Sequence, residues 1–141
     1  MQKTIDTTEV QYKKEINDLV DRLTLFDDDL MSRVFDGNIK ATELILRIIL
    51  GEELKVLWVR GQDTLRNPKI GGRNIVLDVH ALDVNGREIN IEVQGNAQGA
   101  HVKRARFHSA MIDSRILKTG QDFKKMKDSY VIFIYKGDKF R

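Results

Sequence analysis

Between residues 77 and 94 the chain alternates with a period of two on both sides of Asn85-Gly86. Leu77, Val79, Ala81, Ile89, Ile91 and Val93 are apolar, and Asp78, His80, Glu88, Asn90, Glu92 and Gln94 stand between or beside them. That pattern specifies two strands with one buried face, and a slip of one residue would exchange the faces. Asn85-Gly86 can close a two-residue hairpin, or sit within a three-residue loop Val84-Asn85-Gly86 with Gly as the left-handed bulge residue. The first option puts Leu77 and Val79 on a face with Gln94 and Glu92. The second sets Asp78 opposite Glu92 and His80 opposite Asn90, and gathers all six apolar residues on one face. This segregation selects the three-residue loop.

Two carboxylates directly opposite in a hairpin have Cβ atoms about 5 Å apart and repel. A cation between them relieves this, as does protonation of one acid or an open, solvated sheet face. Oxygens from Asp78 and Glu92 beside an amide suit a hard divalent ion, Mg²⁺ or Mn²⁺.

The remaining pattern supplies further elements. Val10, Ile16, Leu19, Val20 and Leu23 recur at nearly helical spacing over residues 8–23. Asp27-Asp28-Asp29 precedes Leu30, Met31, Val34 and Phe35, as expected of a capped helix start. Ile39, Leu44, Ile45, Ile48 and Ile49 form an apolar helix stopping at Gly51, and Leu54 to Arg60 reads as a strand. Residues 61–72, with the single Pro and three Gly, read as a loop. Strands at 73–83 and 87–94 lead into a helix at about 99–117, and Tyr130 to Tyr135 closes the chain as a buried strand. No repeat or linker divides the chain.

Charge is uneven. Residues 1–94 carry 13 Lys and Arg against 17 Asp and Glu, a net of −4, whereas residues 95–141 carry 11 against 4, a net of +7. A basic C-terminal third suits a polyanion, with acidic groups left over for metal. On the 99–117 helix, Val102, Ala105, Ser109, Ile112 and Ile116 form the expected packing stripe. His101, Arg104 and His108 line another face, flanked by Lys103 and Arg106. Cations beside a carboxylate-held metal are what phosphodiester chemistry requires. The absence of Cys excludes a disulfide scaffold and a thiolate zinc site. The Leu44–Leu50 stretch is too short to span a bilayer and the N-terminus lacks a signal-peptide core, so no membrane partner and a cytoplasmic address are expected.

The order helix, strand, strand, strand, helix, strand resembles the αβββαβ core of the restriction-endonuclease-like PD-(D/E)XK nucleases, an α/β fold, preceded here by an N-terminal helix (1–24) before a core at 25–141. Several segments are similar to one branch, the PD-(D/E)XK family transposases or recombination-promoting nucleases. These are Leu25 to Asp36, Thr42 to Leu50, Leu77-Asp78-Val79, Asn90-Ile91-Glu92-Val93-Gln94, Lys103-Arg104-Ala105-Arg106-Phe107, Gly120-Gln121-Asp122-Phe123 and Tyr130 to Ile134. The resemblance runs from about residue 23 to the end. It implies metal-dependent DNA cleavage of the mobile-element type, with Asp78 and Glu92 holding Mg²⁺ (or Mn²⁺) and Gln94 where the superfamily usually has Lys. It also implies Glu43 as an accessory acid, and Arg104 facing phosphate with Lys103, Arg106 and His108 around it. Because Gln94 cannot hold charge as Lys does, the expectation is either slow turnover or a base from elsewhere, His80 or His108. Relatives usually continue well beyond Lys139-Phe140-Arg141, so a chain truncated after its core is expected to lose DNA grip or contacts of a homodimer. The competing expectations are a nucleic-acid-binding remnant without turnover, and a protein-interaction module using Val10, Ile16 and Leu19.

Overall fold

The computed structural model describes residues 7–22, 28–94 and 101–135. Four helices, α1 (Thr7–Arg22), α2 (Asp28–Phe35), α3 (Ile39–Leu50) and α4 (Val102–Asp113), accompany four strands, β1 (Val56–Leu65), β2 (Ile75–Asp83), β3 (Glu88–Gln94) and β4 (Ser129–Tyr135). The strands form one mixed sheet in the order β1-β2-β3-β4, antiparallel until β4 joins β3 in parallel. This is an α/β sheet of the restriction-endonuclease-like kind. No helix among the described residues is long and apolar enough to cross a membrane.

The hairpin adopts the register that the alternation selects: Val79 pairs with Ile91, His80 with Asn90 and Ala81 with Ile89. Buried Asp83 builds the turn. Its Oδ1 accepts from the Asn85 and Arg87 backbone N–H at 2.9 and 2.7 Å, and its Oδ2 takes the Arg87 guanidinium at 2.6 Å. Gly86 occupies the left-handed position at φ +81°. Val79, Ala81, Ile89, Ile91 and Val93 join Met31, Phe35, Ile45, Leu46 and Val59 in the main core, beneath α2 and α3. Asn38 caps α3 by accepting from the Ala41 N–H, and the helix stops at Gly51 as expected.

Four expectations are corrected. β1 does not end at Arg60. It runs on through Gly61 to Leu65, with Gln62 at φ +50°, a left-handed residue inside a strand. That kink and an interrupted pairing at Asp78 invert the side-chain phase beyond them. Leu77 therefore leaves the apolar face and packs with Leu65, Ile75, Met111 and Ile112 under α4. On α4 itself Val102 is exposed, and His108, Met111 and Ile112 are the buried residues. The last strand is half-buried along its length, not fully buried. Asp27, the proposed division near residue 24 and the segment Lys139 to Arg141 lie outside the described residues.

At Gly61 the strand meets α2 directly. A Cβ there would lie 2.4 Å from the Ser32 carbonyl oxygen, a backbone atom that cannot swing aside. Gly61→Ala should cost about 3 kcal/mol as an overpacked contact, against about 1 kcal/mol for Gly86→Ala from its positive φ. Urea unfolding of both variants gives the ranking, and a Gly61→Ala protein as stable as wild type would contradict the close approach.

Candidate active site

Asp78 and Glu92 stand at the end of the β2–β3 ladder, where the backbone pairing stops after Val79 and Ile91. Each side chain supplies the acceptor that the other strand lacks. Glu92 Oε2 accepts from the Asp78 N–H at 2.7 Å, and Asp78 Oδ2 accepts from the Val93 N–H at 3.0 Å. Each acid is thus locked to the backbone of the other's strand. Both are buried, Asp78 at 6% and Glu92 at 0% exposure.

Further groups close around them. Asn90 donates from Nδ2 to Glu92 Oε2 at 3.0 Å, and Gln62 Nε2 bridges from Ser32 Oγ at 2.8 Å to Asp78 Oδ1 at 3.4 Å. Arg104 Nη2 approaches Glu92 Oε1 to 3.6 Å. Even so, Oε1 is buried with no hydrogen bond among the described residues. Burial first and the charge of Asp78 second push the Glu92 carboxyl up to about 7, against the lowering by its hydrogen bonds to the Asp78 N–H and Asn90 and by Arg104. An oxygen in that position is satisfied by a proton or by a cation.

These donors fit a hard divalent ion. Two carboxylates with one oxygen held open provide the anionic ligands, and Mg²⁺ ordinarily keeps several waters besides. Among the described residues no third His, Asp or Glu joins them to form a larger metal-binding group. Gln94 lies two residues beyond Glu92, at the end of β3 and half-buried. Lys103 and Arg106 are exposed on α4, and Arg104 is 42% exposed on its side chain, so it reaches both solvent and Glu92.

The family match decides how this site is classed. A model described as PD-(D/E)XK nuclease family transposase matches residues 45–141. The chain belongs to that family. Neither a curated protein nor a solved structure matches it.

Two members of the expected set stand elsewhere. Glu43 of this PD-(D/E)XK chain accepts from the Val56 N–H at 3.4 Å, at the start of β1. Val56 pairs with Asp83, five residues along β2 from Asp78, or about 17 Å of strand. Glu43 therefore has no reach to the acid pair. His108 is not on an outer face meeting phosphate but buried at 3% exposure, with Nδ1 held 3.0 Å from Asn90 Oδ1. Burial, then Arg104 and Arg73, lowers its pKa to about 4, so it is neutral. His101 caps α4 by accepting from the Lys103 N–H.

His80 is also no base. Its Nδ1 lies 2.7 Å from Asp63 and its Nε2 3.1 Å from Glu88, with Trp58 edge-on at 4.9 Å. Burial lowers its pKa, but the bonds to Glu88 and Asp63 outweigh that and raise it. The ring ties β1, β2 and β3 together through Asp63 and Glu88. Sequence reading overlooked Gln62, Ser32 and the role of Asn90. Gln62 lay in a stretch read as loop, while Asn90 was legible only as a member of the polar face.

Glu92 sets a pH signature. Its folded pKa lies above the unfolded value, so its charge destabilises the fold above pH 7. The penalty fades as pH falls and is absent below about 4.5. Glu92→Gln should be more stable than wild type by about 3 kcal/mol at pH 8 without divalent ions, and the difference should vanish near pH 4.5. Thermal melts of the pair across that range read it; a variant less stable at pH 8 would contradict the assignment.

Proposed function

We propose that the chain is a divalent-metal-dependent DNA endonuclease of the mobile-element type that hydrolyses phosphodiester bonds. The observation that carries this reading is the unsatisfied, buried Glu92 Oε1 beside Asp78. Asp78 and Glu92 would hold Mg²⁺, with Mn²⁺ as a substitute. When bound, such an ion polarises the phosphate and lowers the pKa of the attacking water.

The chain's own residues do the rest. The backbone N–H groups of Asp78 and Val93 fix the two carboxylates, so little reorganisation accompanies charge development. Gln94, at the end of β3 two residues from Glu92, has an amide that can orient a water without altering its charge. Arg104 spans the boundary between Glu92 and solvent and carries the cation nearest the reacting phosphate. Exposed Lys103 and Arg106 neutralise flanking phosphates, which gives the basic C-terminal third its use. DNA is thus the expected polyanion.

Supercoiled plasmid, offered with Mg²⁺, Mn²⁺ or EDTA, tests the reading. Wild type should nick it only with metal, and Asp78→Asn and Glu92→Gln should each lower the rate by on the order of 10³-fold while remaining folded. Arg104→Ala should weaken DNA binding and reduce its salt slope by about one. Cleavage in EDTA, or undiminished cleavage by Asp78→Asn, would refute it. DNA binding that needs no metal and never leads to cutting would favour a non-catalytic remnant.

A further inference from the structure

We propose that His108 and Asn90 form a buried hydrogen-bond relay that aims the Glu92 carboxylate, making both of them positioning residues of the acid pair; this rests on the reading of Asp78 and Glu92 as cation ligands. Hydrogen-bond direction follows from the partners. One end of the Asn90 amide lies 3.2 Å from the Val79 carbonyl oxygen and 3.0 Å from Glu92 Oε2. A backbone carbonyl can only accept, so this end is the NH₂ group. The other end is then the amide oxygen, and 3.0 Å from it lies His108 Nδ1. His108 must therefore carry a proton on Nδ1, the atom that faces this oxygen. Asn90, Glu92 and His108 are all buried, so water does not offer substitutes for these bonds.

The relay has a consequence at Glu92. Oε2 is saturated by two donors, the Asp78 N–H and Asn90 Nδ2, which fixes the rotation of the carboxylate and leaves Oε1 as the open atom. Arg104 Nη2 stands 3.6 Å from that atom, just outside a hydrogen bond. Without Asn90, or without the His108 proton that holds Asn90 in its orientation, Glu92 can turn onto the guanidinium. A carboxylate paired with Arg104 is a poorer ligand. The relay therefore keeps Glu92 available to a cation against a competing cation of the protein itself. His108 on α4 reaches Asn90 on β3, so the helix bearing the basic residues also sets the ligand.

The test measures Mn²⁺ affinity by titration calorimetry on the full chain at fixed pH, with a melting curve for every variant. Asn90→Leu and His108→Leu should weaken Mn²⁺ binding by about 10- to 100-fold, the usual cost of losing a group that orients a ligand. His108→Asn, which keeps a donor near the Nδ1 position, should stay within about threefold of wild type. A folded His108→Leu protein with unchanged Mn²⁺ affinity overturns the proposal. A second measurement needs no variant: ¹⁵N-edited NMR of the His108 ring should show the proton on Nδ1, and a proton on Nε2 alone overturns the relay. A wild-type protein that shows the Nδ1 proton yet neither binds Mn²⁺ nor cleaves DNA supports the hydrogen-bond relay and refutes the proposed function.

Discussion

Two acids at the end of a β-ladder each accept the backbone N–H that regular pairing would have satisfied. Glu92 takes the Asp78 N–H and Asp78 takes the Val93 N–H, both in the interior. Such bonds to charged acceptors are worth roughly twice neutral ones, yet the pair remains costly, because two like charges are held out of water. The protein offsets that cost only partly. Arg104 stands 3.6 Å from Glu92 Oε1, and burial and Asp78 still push the Glu92 carboxyl up to about 7. A site left short of positive charge in this way gives up stability for function.

Much of the fold exists to hold this point. The Asp83 turn sets the register that brings residue 78 opposite residue 92. His80, gripped by Asp63 and Glu88, ties three strands beside it. Gly61 lets α2 approach β1 closely enough for Ser32 to hold Gln62, which reaches Asp78. From the opposite side α4 brings Arg104 to Glu92 and His108 to Asn90.

The hairpin register and the Asp78–Glu92 pairing were legible because a period-two pattern with clean segregation admits one solution. The path of β1 was not. Gly61 and Gln62 resemble loop residues, and only the tertiary approach of α2 explains why a strand runs through them. Leu77 followed the local alternation in sequence but crosses the sheet in space, because a left-handed residue on the neighbouring strand resets the phase. His108 shows a second limit. Helical periodicity places it on the same face as Arg104, correctly, but periodicity does not tell a residue at the rim from one buried a turn deeper. Glu43 failed for want of any signal on distance along the sheet. A helix before a strand can put an acid at either end of it.

The most direct measurement is the titration of the Glu92 side-chain carboxyl by ¹³C NMR, without and with Mg²⁺. An acid pair poised for a cation predicts a midpoint near 7 in the metal-free protein, and a fall below the ordinary glutamate value of about 4.3 when Mg²⁺ is added. A metal-free midpoint at that ordinary value, unmoved by Mg²⁺, would contradict the account at its centre.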